Sequence, residues 1–73
     1  MEWISTKDRD RLPAFNEDVL VTVRVPGVEP YVDIASRWEV ATVKDGWIWT
    51  DWDEDFDPEE ITGWAPLPAP AQF

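Results

Sequence analysis

The longest alternation of apolar and polar positions lies at residues 19–25 and predicts a β-strand. Its four valines share one face, whereas a Leu, a Thr and an Arg share the other. Branched side chains at every second position favour an extended backbone with one packed face. The pattern therefore predicts a strand that is buried on the valine side.

Three further apolar runs predict three more strands. Residues 31–37 and 38–44 are expected to form the second and third strands, and residues 47–52 the fourth. Asp45-Gly46 lies between the last two runs, and this dipeptide favours a two-residue type I′ hairpin turn. The sequence therefore predicts a tight hairpin centred on these two residues.

The predicted hairpin sets a register. With Asp45 and Gly46 as the turn, Lys44 faces Trp47 and Thr42 faces Trp49. Those two tryptophans then share one face of the strand, while the Trp at position 52 lies on the other face. Because both faces carry an indole ring, one face is expected to be only partly buried.

The segment after these strands is acidic and then rich in proline. Asp57 followed by Pro58 and two glutamates is typical of a helix start. Gly63 limits this element to one or two turns. Proline alternates with other residues within the segment 65–73. This pattern predicts an extended tail that does not lie in a central strand.

These elements predict a single small domain over residues 1–73. The connections are too short for parallel crossovers, which favours an antiparallel arrangement. The expected fold is mainly β: a sheet of three to five strands with a short helical turn. Six Trp, three Phe and one Tyr supply bulk for a core in a chain with no cysteine.

Charge is distributed unevenly along the chain. Six basic and sixteen acidic residues give a net charge of −10, of which −2 belongs to residues 1–37 and −8 to residues 38–73. Seven of the ten residues at 51–60 are acidic. This balance argues against direct binding to nucleic acid or an anionic membrane. The absence of a long apolar stretch or signal-peptide pattern predicts a cytoplasmic protein.

Catalysis and cofactor binding are not predicted. The chain has neither His nor Cys, its three glycines are isolated, and no nucleophile–base motif is visible. Alternating aspartates from Asp51 resemble the start of a calcium loop. However, Phe56 stands where that loop needs Gly, and Thr62 stands where it needs Glu. We therefore predict no catalytic, cofactor or metal site.

The strongest candidate for a partner site is the acidic stretch with its interleaved aromatic residues. Aromatic anchors inside a charged rim are typical of protein–protein contacts, and charge steers the encounter. A dense array of carboxylates also resembles the charge of DNA. A solvated loop that only aids solubility is the competing interpretation. The predicted contact residues are Trp49, Asp51, Trp52, Asp53, Glu54, Asp55, Phe56 and Asp57.

The two ends of the chain carry short ordered motifs. Trp3-Ile4-Ser5, Lys7-Asp8-Arg9 and Leu12-Pro13 precede Val19-Leu20-Val21, and residues 62–70 read TGWAPLPAP. This arrangement resembles a family of small phage and prophage proteins classed as a domain of unknown function (number five-five-one). The resemblance implies a small β-rich domain of phage or prophage origin, and it implies no activity.

One position departs from the family pattern. The family usually has His immediately before the Trp of the closing motif, and this chain has Gly63 there; Ala65 likewise replaces a common Met. We expect Trp3 to pack against the closing Trp and prolines and so to form a structural contact between the two ends. A proline-rich ligand for another protein is the alternative for residues 66–70.

The sequence thus predicts a non-enzymatic phage or prophage accessory protein. It is expected to bind a protein partner through the acidic and aromatic segment, by mimicry of nucleic acid against a host or defence protein. The alternative is a structural module that associates with itself as a homo-oligomer through an exposed aromatic face or an open sheet edge.

Overall fold

The structure, a computed structural model, describes residues 2–68. It contains one sheet of six antiparallel strands of unequal length. Their spatial order is β1-β6-β2-β3-β4-β5. The mainly β, antiparallel prediction is confirmed, but the count of three to five strands was too low. The strands are β1 (Ile4–Ser5), β2 (Val19–Val23), β3 (Tyr31–Glu39), β4 (Trp47–Thr50), β5 (Asp55–Phe56) and β6 (Ile61–Pro66).

The additional strands are those with the weakest sequence signals. β1 and β5 contain two residues each, too few to show an alternating pattern. β6 contains Gly63 and ends at Pro66, yet it lies between β1 and β2. Pro66 is tolerated because it is the last residue of the strand, beyond the reach of β1. Residues 69–73 of the predicted tail lie outside the described residues.

The third strand corrects the prediction of two separate strands at residues 31–37 and 38–44. β3 is one continuous strand of nine residues that changes its partner half-way. Its first half, through Ala35, pairs with β2, and its second half, from Ser36, pairs with β4. The single long strand therefore joins the two halves of the sheet.

The predicted two-residue hairpin turn is wrong. Residues 40–46 connect β3 to β4, so that Glu39 faces Trp47 and Arg37 faces Trp49. Gly46 adopts a φ of +79°, but Asp45 does not have the positive φ that a type I′ turn requires. The strand ends sooner than the apolar pattern suggested because two successive turns, closed by backbone bonds at 3.3 and 3.0 Å, replace further pairing.

The valine face of β2 is buried, as predicted. Val19, Val21 and Val23 are fully shielded from solvent, and the strand ends there, leaving Val25 to pack beside the core from the next turn. The other core side chains come from every part of the sheet except β1. They are Ala35, Trp47, Trp49, Phe56 and Ile61.

The segment at residues 9–15 covers the inner face of the sheet. It begins with a 3-10 helix, Arg9–Arg11, and continues through the buried Pro13. Arg37 Nη1 donates a hydrogen bond to the Pro13 carbonyl at 2.7 Å, and Trp64 Nε1 donates to the Arg11 carbonyl at 2.9 Å. These two bonds tie the covering segment to β3 and β6.

A guanidinium group is stacked between two aromatic rings beneath this segment. The Arg37 Cζ atom lies 4.3 Å from the centre of the Phe15 ring and 4.2 Å from that of Trp47. Burial, followed by the nearby charge of Arg9, lowers the pKa of Arg37. Its Nε is buried without a hydrogen-bond partner, so aromatic faces and one carbonyl are what hold this cation.

Backbone pairing joins the two ends of the chain. Ile4 faces Trp64 and Ser5 faces Gly63 across β1 and β6, and the Thr6 hydroxyl donates to the Ile61 carbonyl. The predicted contact between the ends is therefore a β-ladder, to which the side chains add.

The predicted helical turn is present as a second 3-10 helix, Pro58–Glu60. The Asp57 N–H donates to Glu60 Oε1 at 2.9 Å, which holds the start of the turn. Within residues 2–68, no helix has the length and apolar character needed to cross a membrane.

Candidate protein-binding surface

Residues 51–55, which we call the acidic turn, follow β4 and lead into β5. The Asp51 Oδ1 atom accepts hydrogen bonds from the N–H groups of Asp53 at 2.8 Å and Glu54 at 2.6 Å. The Asp51 N–H in turn donates to the Glu54 carbonyl at 2.9 Å. An aspartate that satisfies the backbone in this way favours a turn over further strand, which is why β4 ends at Thr50.

Trp52 lies at the tip of the acidic turn and is 99% exposed. The other five tryptophans all have part of their surface covered by the protein. Leaving a whole indole ring in water forgoes the favourable burial that such a side chain normally provides. Trp52 is therefore the residue in the predicted contact set whose exposure most needs an explanation.

Two residues of the predicted contact set are in the core. Trp49 and Phe56 face each other across β4 and β5, and their exposed fractions are 0% and 3%. The inward face of β4 carries Trp47 and Trp49 in an edge-to-face pair whose ring centres are 5.6 Å apart. Trp49 and Phe56 therefore support the acidic turn from beneath and are unavailable to a partner.

The remaining predicted contact residues are at the surface. Asp53, Glu54, Asp55 and Asp57 are exposed, and Asp51 is half-buried. Within residues 2–68, no three acidic side chains converge in a way that would hold a metal ion. The Asp51 carboxylate is engaged by backbone N–H groups, so its position is explained by the turn alone.

Asp33 of β3 approaches the acidic turn, although the sequence did not single it out. A hydrogen bond to Asp51, followed by burial, raises the pKa of Asp33. The same bond, followed by the backbone N–H groups of the turn, lowers the pKa of Asp51. Asp33 therefore loses its proton at a higher pH than Asp51. The available sequence signal was an acid between two apolar residues, Val32 and Ile34, in the first half of the strand.

The side of the sheet opposite the core, which we call the outer face, carries no charged side chain at the outward positions of β2, β3 and β4. Because 30% of the residues in the chain are charged, about two of any eight positions would carry a charge by composition alone. The eight positions are Leu20, Thr22, Val32, Ile34, Ser36, Trp38, Ile48 and Thr50.

Several apolar side chains on the outer face are exposed. Val32, Ile34 and Trp38 expose 58%, 47% and 48% of their surface. Trp38 Nε1 donates to the Ser36 hydroxyl at 2.8 Å, which holds the indole along the sheet. A depression of about 240 Å³ runs from Ile34 and Trp38 to Trp52, and Asp18 and Asp51 also line it, so the outer face is continuous with the acidic turn.

Two larger clefts lie elsewhere. One, of about 530 Å³, is lined mainly by apolar atoms at the ends of β1 and β6, next to Leu67. The other, of about 400 Å³, brings Lys7, Arg9 and Lys44 together with two carboxylates, Asp45 and Glu59. Charges of both signs in the second cleft nearly cancel, so it offers no strong field to a ligand.

The position at which the chain departs from the family pattern has room for a side chain. A Cβ atom added to Gly63 would lie 3.6 Å from the Ile4 carbonyl oxygen and 3.8 Å from the Trp3 ring, which are ordinary contact distances. Its φ is not in the left-handed region. The backbone of β6 therefore does not require glycine at residue 63.

Fold and surface together define a small antiparallel β module with an exposed tryptophan in an acidic turn beside a partly apolar sheet face. The family model described as "Protein of unknown function (DUF551)" matches residues 2–72, and the chain belongs to this family. No curated protein and no solved structure matches the chain.

Proposed function

We propose that this protein is a non-enzymatic binding module that recognises a protein partner through the acidic turn, with Trp52 as its anchor. The observation that supports this proposal most directly is the full exposure of an indole ring among carboxylates. Tryptophan is enriched among the few residues that dominate binding energy at protein interfaces. Water is excluded from such a ring only when a partner covers it.

The charge around Trp52 supports a basic partner. Asp53, Glu54 and Asp55 are exposed within the acidic turn that carries Trp52, and Asp57 is exposed two residues beyond it. Rim carboxylates raise the rate of encounter with a positively charged surface and disfavour partners of like charge. A nucleic-acid-binding protein of a phage host is the partner class we propose, with the carboxylates occupying the groove that binds phosphates.

The rigidity of the turn supports the same function. Three hydrogen bonds within residues 51–54 and the buried pair beneath them fix the backbone that carries Trp52. A preformed contact loses little conformational freedom on binding, so more of the interaction energy remains as affinity.

The test is affinity capture from host lysate with the wild type and two variants. Trp52→Ala removes the anchor, and a fourfold variant, Asp53→Asn, Glu54→Gln, Asp55→Asn and Asp57→Asn, removes the rim charge. We expect both to lose the captured partner. Double-stranded DNA added to the wild-type complex is expected to release the partner, because it competes for the same basic surface.

Matched controls separate these effects from general changes. Val28→Ala trims another exposed apolar residue, and Glu2→Gln, Asp10→Asn, Glu17→Gln and Glu29→Gln neutralise four exposed acids outside the acidic turn. These controls are expected to retain the partner. An unchanged set of captured proteins in both test variants would refute the proposed site, and DNA that fails to compete would refute mimicry.

A further inference from the structure

The depression on the outer face lies where β3 changes its partner. Ala35 is the last residue of β3 that pairs with β2, and Ser36 is the first that pairs with β4. The start of β2 and the end of β4 therefore meet β3 at neighbouring positions, on its two opposite edges. Asp18 immediately precedes β2 and Asp51 immediately follows β4, so these two acids flank β3 where the depression lies.

The rest of the lining is aromatic, apolar or hydroxyl-bearing. It consists of Ile34, Ser36, Trp38, Thr50 and Trp52. Both indole rings are accessible, since Trp38 is 48% exposed and Trp52 is 99% exposed. The Trp38 N–H group already donates to the Ser36 hydroxyl, so this ring offers a ligand its π surface.

The charge in the depression is of one sign. Asp18 and Asp51 line it, and none of the described residues in its lining is basic. The two larger clefts differ in this respect, because Arg11 lines the first and three basic residues line the second. Carboxylates without a cation beside accessible aromatic rings are complementary to a positively charged group.

We propose that this depression receives one arginine side chain of the basic protein partner, with the guanidinium group against the indole rings of Trp38 and Trp52 and attracted by the charges of Asp18 and Asp51. The inference rests on the proposed function, because it specifies what the partner presents beside Trp52. The volume of about 240 Å³ is below the roughly 300–1,000 Å³ of pockets that enclose drug-sized molecules, so it suits a single side chain.

Arginine suits the depression better than lysine does. Its planar group stacks on aromatic rings and is more weakly hydrated than an ammonium group, so it loses less on leaving water. The core of this protein already contains such a stack, with Arg37 4.3 Å from the Phe15 ring centre and 4.2 Å from that of Trp47. The apolar stem of an incoming arginine also covers the exposed surface of Ile34.

The test is a titration of the protein with a capped Gly-Arg-Gly peptide, followed by NMR of the indole N–H and methyl signals. The peptide is added up to about 50 mM at matched ionic strength. We expect saturable shifts of the Trp38, Trp52 and Ile34 signals. Capped Gly-Lys-Gly is expected to bind at least about twofold more weakly, and capped Gly-Gln-Gly is expected to give no saturable shift.

Two variants change the depression without changing the acidic turn. Asp18→Asn removes one carboxylate, and Trp38→Leu removes one ring but keeps an apolar residue. Each is expected to weaken Gly-Arg-Gly binding about threefold. Glu17→Gln is the matched control, because it neutralises the neighbouring exposed acid, which does not line the depression. It is expected to bind as the wild type does, and circular dichroism checks that all variants are folded.

The outcomes separate this inference from the proposed function. No saturable shift with Gly-Arg-Gly, an equal response to Gly-Gln-Gly, or unchanged affinity in Asp18→Asn would overturn the arginine site. If Trp52→Ala nevertheless loses the captured partner, the proposed function stands without that site. Saturable shifts at the depression together with capture that is unaffected by Trp52→Ala would support the arginine site and reject Trp52 as the anchor.

Discussion

Trp49 and Phe56 face each other across β4 and β5, with both side chains buried, and they hold the acidic turn that connects these strands. This pair links the core to the candidate binding surface. The turn is exposed, but Trp49 in the strand before it and Phe56 in the strand after it are anchored in the interior. Changes to the pair are therefore expected to act on stability, whereas changes to Trp52 are expected to act on binding.

Phe56→Ala is expected to lower the free energy of unfolding by about 3–5 kcal/mol, because it removes a buried ring and leaves a cavity. Trp52→Ala is expected to change it by less than about 0.5 kcal/mol, because the ring is in water. Urea unfolding followed by circular dichroism measures both. If Phe56→Ala is unfolded without denaturant, Phe56→Leu supplies a smaller measurable loss. Equal effects at residues 52 and 56 would contradict the assigned burial.

Arg37→Lys is expected to destabilise the protein by about 1–2 kcal/mol, although it preserves the charge. A lysine ammonium cannot stack between Phe15 and Trp47 as a flat guanidinium does, and it loses the bond to the Pro13 carbonyl. Arg24→Lys, at an exposed position, is the control. A midpoint of urea unfolding that is equally unaffected in both variants would show that the stack adds nothing.

The Asp33–Asp51 pair predicts a pH dependence with a definite sign. The pKa of Asp33 is raised above 3.8. Its contribution to the free energy of unfolding is therefore present at low pH and is lost as the pH rises through the pKa of the folded state. Asp51 has a lowered pKa, so its contribution is present above 3.8 and is lost as the pH falls. Asn at residue 33 keeps a donor to Asp51 but cannot ionise.

We therefore expect Asp33→Asn to become more stable relative to the wild type as the pH increases above about 4. Urea unfolding at a series of pH values measures this difference. Carbon-13 NMR of the carboxyl carbons provides a direct check, with Asp33 titrating at higher pH than Asp51. Titration of the two groups at the same pH would contradict the opposite shifts of their pKa values.

Gly46→Ala is expected to cost about 1–2 kcal/mol, because a φ of +79° is unfavourable for any residue with a Cβ. Gly63→Ala is the matched comparison in β6, where the backbone is not left-handed and the added methyl makes ordinary contacts. It is expected to be neutral or to stabilise by about 0.4–1 kcal/mol, because alanine has a less flexible unfolded state. Thermal unfolding of the two variants tests the contrast, and the reverse order would contradict it.

Local patterns predicted the elements whose signals are contained within a few neighbouring residues. The valines of β2 identified a buried face, and Asp57-Pro58 identified the start of a 3-10 helix. The Asp45-Gly46 turn failed because its preference competes with the pairing of β3 and β4, which ended at Glu39 and Trp47. A local turn preference contributes less stability than the strand contacts that set a register.

The candidate surface was predicted in part. Charge counting located the acidic turn, and alternation placed Trp52 opposite Trp47 and Trp49. The same reasoning included Trp49 and Phe56 among the contact residues, because proximity in sequence does not reveal which face a strand buries. Asp33 was missed, since its approach to Asp51 depends on two strands that are distant in sequence.

The sequence by itself determined composition, the uneven charge, the antiparallel β class and the family, because each depends on residue types and short-range order. Tertiary structure decided which tryptophan remains in water and which two carboxyl groups meet. It also decided that β6, with its glycine and terminal proline, lies inside the sheet. These outcomes depend on long-range strand pairing, where each contact is stabilised by burial that no local pattern contains.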